Sequence, residues 1–163
     1  MRNSLGLGKH ADELLEICQK FDVRTELNDL LAIDYFFGQQ DRHSKNIGFV
    51  GSKLSPIYDS GACLYFDVAD GMLAAVDIAR IQNHKTFAKP LSELIDFSFR
   101  HICSDFSFNK DVSYLKAAFE HAHGSLMRHY SRKRFDFIKK FVFCRIDMFS
   151  QLLNCYKLQL STA

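Results

Sequence analysis

Apolar residues recur at three- and four-residue intervals along much of the chain, which is the spacing of amphipathic helices. The pattern covers residues 11–21 and 25–38, then returns at 91–103, 112–122 and 131–160. Sixteen phenylalanines are spread over the chain, largely in these segments, and we interpret them as core residues. The sequence therefore predicts a mainly helical domain.

The predicted helices have recognisable start and stop residues. Thr25, Asp111 and Ser131 stand where a side-chain oxygen can cap the first turn of a helix. Gly38 is a suitable terminator for the second helix, and we expect Gly124 to end the fourth. The second helix should then deliver the chain directly into the loop that follows Gly38.

A short β-hairpin is predicted immediately after that loop. Residues 47–50 indicate a strand, 51–53 a turn, and 54–58 the returning strand. Pro56 suggests that the returning strand is irregular or lies at an edge. With this hairpin, the expected fold class is α+β, mainly α, as one domain over residues 1–163.

Three polar side chains on this loop and hairpin indicate phosphoryl-transfer chemistry. Asp41 and Asn46 share one tight loop, and the hairpin should return Asp59 to a position beside Asn46. This chemistry needs a carboxylate that orients the attacking hydroxyl, together with an amide and a second carboxylate that hold metal ions. The order Asp, four residues, Asn and a later Asp is that of the catalytic and metal loops of protein kinases.

The segments DRHSKN and SPIYDSG resemble the catalytic lobe of the HipA-like serine/threonine kinases, whose loop reads D-x-H-x-K-N. The resemblance implies a protein-kinase-like C-terminal lobe that uses ATP and Mg²⁺, with Asp41 as catalytic base. It implies that Asn46 and Asp59 bind the metal and, with Lys45, the nucleotide. His43 and Lys45 match the loop as further catalytic candidates, and Lys45 is suited to neutralise phosphate charge.

Two other interpretations stay open. Phosphatidylinositol kinases also carry a DRHxxN loop, although IYDSG resembles the HipA-like form better. A complete kinase also needs a β-rich N-lobe, and only two helix patterns precede Asp41. We therefore expect a separate N-lobe or an antitoxin-like protein as partner and a protein as substrate. The remaining alternative is a non-catalytic, kinase-like binding or regulatory module.

Composition narrows the possible partners. The formal net charge is +2, so no nucleic-acid partner is expected, although residues 128–140 are locally basic. No apolar run approaches the roughly 20 residues of a membrane span. The five cysteines include no C-x-x-C pair and suggest a reducing cytoplasm.

Some single residues also carry expectations. Cys18, Cys144 and Cys155 are expected to be buried in helices as reduced thiols. Asp34 is a lone acid on a largely apolar helix, and we expect it to be exposed or hydrogen-bonded to the loop backbone. The histidines at 121, 123 and 129 lack a recognised zinc-ligand pattern, which favours a surface role.

Overall fold

The computed structural model describes residues 9–39, 42, 44–57, 63–76, 78, 93, 97, 98, 100 and 113–161. This part of the chain is mainly helical and contains one small antiparallel sheet, which confirms the α+β, mainly α class at that level. Its α-helices are α1 (Lys9–Phe21), α2 (Arg24–Phe37), α3 (Ser113–Leu126) and α4 (Arg132–Ser161). Short 3₁₀ helices occur at Ser44–Asn46 and Leu73–Ala75.

The predicted hairpin is present but shorter than expected. Strand β1 is Phe49–Val50 and strand β2 is Lys53–Leu54, with Phe49 opposite Leu54 and Val50 opposite Lys53. The returning strand thus begins at Lys53, which the sequence had placed in the turn. It stops before Pro56, which has no amide hydrogen to donate to a neighbouring strand.

Helix α4 is the largest element and supplies one side of the core. The sequence predicts that the apolar residues at three- and four-residue spacing along α4 are buried. Six of them are at most 2% exposed, namely Phe135, Ile138, Val142, Ile146, Phe149 and Leu153, while the side chains of Tyr156 and Leu160 lie outside the described part. The buried residues pack against α2, where the Phe36 and Phe149 rings meet edge to face with centroids 5.2 Å apart. None of the helices in the described part combines the length and apolar character that a membrane span requires.

The first turn of α4 is fastened to residues 65–70. The Ser131 hydroxyl accepts a hydrogen bond from the Arg134 amide at 3.1 Å, which confirms Ser131 as the cap. The Arg134 guanidinium donates to the Asp70 carboxylate at 2.7 Å and to the Tyr65 and Val68 carbonyls. Hydrogen bonds from Ser131 and Arg134 lower the pKa of Asp70.

Three expectations from the sequence are wrong. Thr25 does not cap α2, because the helix already begins at Arg24 after buried Val23 and has no side-chain cap. Gly124 does not end α3, which continues to Leu126. Cys155 is exposed because it lies on the outward side of α4, whereas Cys18 is buried and Cys144 half-buried. Asp111 lies outside the described residues.

Gly38 ends α2 as predicted. Its φ is 65°, in the left-handed region, and its amide donates to the Tyr35 carbonyl at 3.2 Å. A Cβ atom added there would stand 2.8 Å from Cζ of Phe141, a side chain that is fully buried. Glycine is therefore required both by the backbone turn and by the close approach of α4.

We predict that Gly38→Ala lowers the free energy of unfolding by about 1–3 kcal/mol, through backbone strain and overpacking against Phe141. The matched control is Gly124→Ala, since Gly124 is inside a helix and has open space around its Cα. Alanine there should raise the free energy of unfolding by up to about 0.5–1 kcal/mol. Urea unfolding of the three proteins measures both effects, and equal changes in the two variants would contradict the role given to Gly38.

Candidate functional site

A buried ion pair fixes the loop that follows α2. The Arg42 guanidinium donates through Nε to Oδ2 of Asp34 at 2.7 Å and through Nη2 to Oδ1 at 2.9 Å. The two side chains are only 1% and 3% exposed. Such two-pronged contacts between arginine and a carboxylate combine strength with a defined geometry. The loop is thereby fastened to the helix that precedes it.

The same guanidinium holds the far end of the loop. Nη1 of Arg42 donates to the backbone carbonyl of Asn46 at 2.9 Å. Arg42 therefore bridges the Asp34 side chain in α2 and the 3₁₀ helix Ser44–Asn46. Because Asn46 ends this 3₁₀ helix, the bridge constrains the backbone of this candidate residue.

Burial governs the electrostatics of this pair. It raises the pKa of Asp34, and the hydrogen bonds and positive charge of Arg42 oppose that rise. Asp34 is thus not exposed, and that expectation was wrong; among the described residues, its side chain is hydrogen-bonded to the Arg42 side chain. The reason is that the adjoining loop supplies a buried cation, which makes a buried carboxylate tolerable.

The structure places only some of the predicted site residues. Asn46 is 6% exposed, and Lys45 beside it is exposed. The amide of Asn46 is suited to a metal site, and the accessible cation of Lys45 is suited to phosphate. Asp41, His43 and Asp59 lie outside the described residues, so their convergence with Asn46 stays a prediction.

The chain returns to α2 just after the segment that contains Asp59. The Leu64 amide donates to the Phe37 carbonyl at 2.8 Å, next to the end of α2. Leu64 and Tyr65 have φ values of 55° and 54°, in the left-handed region that non-glycine residues rarely adopt. The Tyr65 ring packs edge to face on Phe141 at 5.4 Å, which helps to hold this unusual backbone.

Arg145 of α4 contacts the C-terminal end of α2. It is fully buried, its guanidinium lies 4.6 Å from the Tyr35 ring centroid and 4.3 Å from that of Phe141, and it donates to the Tyr35 carbonyl. Burial lowers the pKa of Arg145 to about 10 and raises that of Tyr35 to about 12. The two aromatic faces stabilise this cation, although Nε and Nη2 lack hydrogen-bond partners.

A small cavity of about 250 Å³ adjoins the loop between α2 and the hairpin. It is smaller than the ~300–1,000 Å³ typical of ligand pockets. Its lining combines two acidic side chains of α2, Glu26 and Asp29, with polar groups of the loop and with apolar side chains of α2 and of the hairpin region. The full set is Glu26, Asp29, Leu30, Ile33, Arg42, Asn46, Ile47, Gly48, Leu54, Ser55, Pro56 and Ile57.

Metal binding by the described residues alone has little support. They contain no group of three or more His, Cys, Asp or Glu side chains that could hold an ion. His121 and His129 are both exposed, as the sequence suggested. The predicted metal pair of Asn46 and Asp59 is a different donor set, and one member of it lies outside the described residues.

Comparison of the chain with protein-family models, with curated proteins and with solved structures found no match. Function must therefore be argued from the residues and their geometry. The residue that sequence reasoning missed is Arg42, which sits inside the DRHSKN motif and was given no role. The available signal was Asp34, an acid on an apolar helix eight positions before an arginine.

We predict that Arg42→Met lowers the free energy of unfolding by about 3–5 kcal/mol at pH 7, because it leaves the Asp34 carboxylate buried and unpaired. The matched control is Arg132→Met, which removes an exposed ion pair with Asp136. That change should cost at most about 0.5 kcal/mol. Denaturant unfolding of both variants gives the comparison.

The deficit of Arg42→Met, which is its loss of free energy of unfolding relative to the wild type, should also depend on pH. Without the guanidinium, the pKa of Asp34 rises further, so folded Asp34 keeps a proton that the unfolded chain loses above about pH 4. When the pKa of a group is higher in the folded state than in the unfolded state, its contribution to stability is fully present below the unfolded-state pKa. This contribution is lost as the pH rises through the folded-state pKa. The deficit should therefore be smallest near pH 4 and should grow toward pH 7. A deficit below about 1 kcal/mol at pH 7, or one independent of pH, would refute the buried pair.

Proposed function

We propose that this chain is the catalytic lobe of a HipA-like serine/threonine kinase, which transfers the γ-phosphoryl group of ATP to a protein hydroxyl. The observation that carries the proposal is the double contact of Arg42 with Asp34 and with the Asn46 carbonyl. It holds Arg42 and Asn46, two residues of the DRHSKN loop, in a buried setting. Phosphoryl transfer depends almost entirely on positioning and electrostatic stabilisation, so a rigid loop is what this chemistry needs.

The roles of the individual residues follow from the motif. Asp41 would accept a hydrogen bond from the attacking hydroxyl and orient it toward the phosphate. Asn46 and Asp59 would hold Mg²⁺, and the buried amide of Asn46 offers an oxygen of the kind that Mg²⁺ prefers. When bound, the metal would neutralise charge on the phosphates. Exposed Lys45 would add a second positive charge beside the phosphates. His43, on the same loop, would be a further catalytic residue.

The hairpin and the segment that follows it offer a surface on which a second lobe could pack. Val50 in β1 is 70% exposed, and Ile57, three residues after β2, is 49% exposed and lines the same cavity as Asn46. Exposed apolar side chains of this kind suit contact with another folded unit. The proposal therefore includes an N-lobe, contributed by a separate chain or by a longer form of this one, that covers the nucleotide.

The same two exposed apolar side chains support a second candidate function. A kinase-like module without catalysis could use Val50 and Ile57 to bind a regulatory partner, such as an antitoxin-like protein. A lipid kinase lobe is the further alternative, motivated by the DRHxxN loop.

The proposal includes a cytoplasmic location. The four described cysteines are free thiols, which agrees with that location.

We predict that the purified chain alone transfers phosphate from ATP at a negligible rate and that adding an N-lobe in trans restores transfer to a protein. Asp41→Ala should abolish the restored activity. The matched control is Asp67→Ala, since Asp67 is exposed and stands after the motif. Transfer of labelled γ-phosphate, with and without the N-lobe, measures these effects.

The outcomes separate the candidate functions. Transfer to lipid but not to protein would replace the proposal with a lipid kinase. A complex with the N-lobe or an antitoxin-like partner that never transfers phosphate, and that forms equally well with Asp41→Ala, would support the binding module. Strong Asp41-dependent transfer by the isolated chain would contradict the requirement for a second lobe.

A further inference from the structure

An apolar cavity of about 490 Å³ lies on the side of α4 that faces α2 and α3. Its volume is within the ~300–1,000 Å³ range of small-molecule sites and is far larger than the voids between close-packed side chains. Buried Phe36, Ile138, Val142 and Ile146 form its floor. The cavity is therefore built into the core.

Helix α3 creates the space through the size of its side chains. Leu115, Ala118, Phe119 and Ala122 follow the three- and four-residue spacing of one helical face, and all four line the cavity. The two alanines contribute one methyl group each where a leucine or phenylalanine would fill part of the volume. Both alanines are exposed, so they stand near the opening.

The chemistry of the lining restricts the ligand. None of the described residues that line the cavity carries a charge, and the one side-chain polar atom among them is the Tyr130 hydroxyl. A polar ligand would lose its hydration there without compensating hydrogen bonds. The main body of a ligand must therefore be hydrocarbon.

The mouth of the cavity favours an anionic end group. The Phe66 and Tyr130 rings lie 5.7 Å apart at the rim, and Phe66 is 40% exposed. The turn that carries Tyr130 also carries Arg128 and His129, both exposed. Arg128, two residues before the lining residue Tyr130, places a guanidinium on the turn beside this apolar opening, which suits a molecule with a hydrocarbon tail and a carboxylate head.

We propose that this cavity binds a free fatty acid of medium chain length, with its tail among α2, α3 and α4 and its carboxylate at the turn of Arg128. The volume suits one such molecule, whereas a folded protein partner needs roughly 800 Å² of surface on each side. The cavity is separate from the candidate kinase site, so this inference does not depend on the proposed function. It does touch the neighbouring segments, because Phe37 and Leu64 are also in its lining.

Binding of dodecanoate to the purified chain, below its micelle concentration, tests the proposal. Isothermal titration calorimetry should show saturable binding at about one molecule per chain, and saturating dodecanoate should raise the midpoint of thermal unfolding. Ala118→Phe should fill the opening and weaken binding at least about tenfold, through steric exclusion. Ala117→Phe is the matched control, since Ala117 is an exposed neighbour on α3 outside the lining, and it should leave binding unchanged.

The midpoint of thermal unfolding without ligand shows whether Ala118→Phe alters the fold. If it does, Ala122→Phe is a second variant that fills the cavity. Dodecanol and the Arg128→Gln variant test the head group: the variant should weaken dodecanoate binding by roughly two- to fivefold and leave dodecanol binding unchanged. Equal loss for both compounds would overturn the carboxylate contact. No saturable binding, or equal binding to wild type and both filling variants, would overturn the cavity as a fatty-acid site.

Discussion

The ion pair between Arg42 and Asp34 is the interaction on which the candidate site depends. Both groups are almost completely removed from water, so neither is tolerable without the other. Their two hydrogen bonds, and the third from Arg42 to the Asn46 carbonyl, leave the loop little freedom to shift. A change of loop conformation would separate Arg42 from Asp34 and leave a buried charge without its partner. Rigidity at this point therefore has an electrostatic cause, and it acts on the backbone of Asn46.

Helix α4 supplies the platform for both sides of this loop. Phe141 and Arg145 contact the end of α2, where the left-handed Gly38 turn begins the loop. One end of the same helix binds the returning chain, through Arg134 and its contacts with Asp70 and the Tyr65 carbonyl. The segments before and after the motif are thus fastened to a single 30-residue helix. Local loop geometry is in this way tied to the hydrophobic core.

The elements set by local chemistry could be predicted from the sequence. Apolar periodicity located α2 and α4, the Ser131 hydroxyl marked the start of α4, and Gly38 marked the end of α2. Interactions between distant residues could not be predicted in the same way. Asp34 looked like an exposed acid because its partner belongs to a loop whose fold no local pattern specifies. The fatty-acid cavity likewise depends on how α3 approaches α4, and spacing along either helix does not determine that approach. The positions of Asp41, His43 and Asp59 stay predictions that rest on motif order alone.

The proposed function requires that the loop and the hairpin together bring Asn46 and Asp59 to one metal ion. Crystals of the chain grown with Mn²⁺ and a non-hydrolysable ATP analogue test it most directly, through the anomalous scattering of manganese. We expect one strong peak roughly 2.1 Å from the Asn46 amide oxygen and from an Asp59 carboxylate oxygen. That peak should vanish in Asp59→Ala and persist in Asp67→Ala. A manganese peak elsewhere, or an Asp59 carboxylate pointing away from Asn46 in well-ordered density, would contradict the proposed metal site.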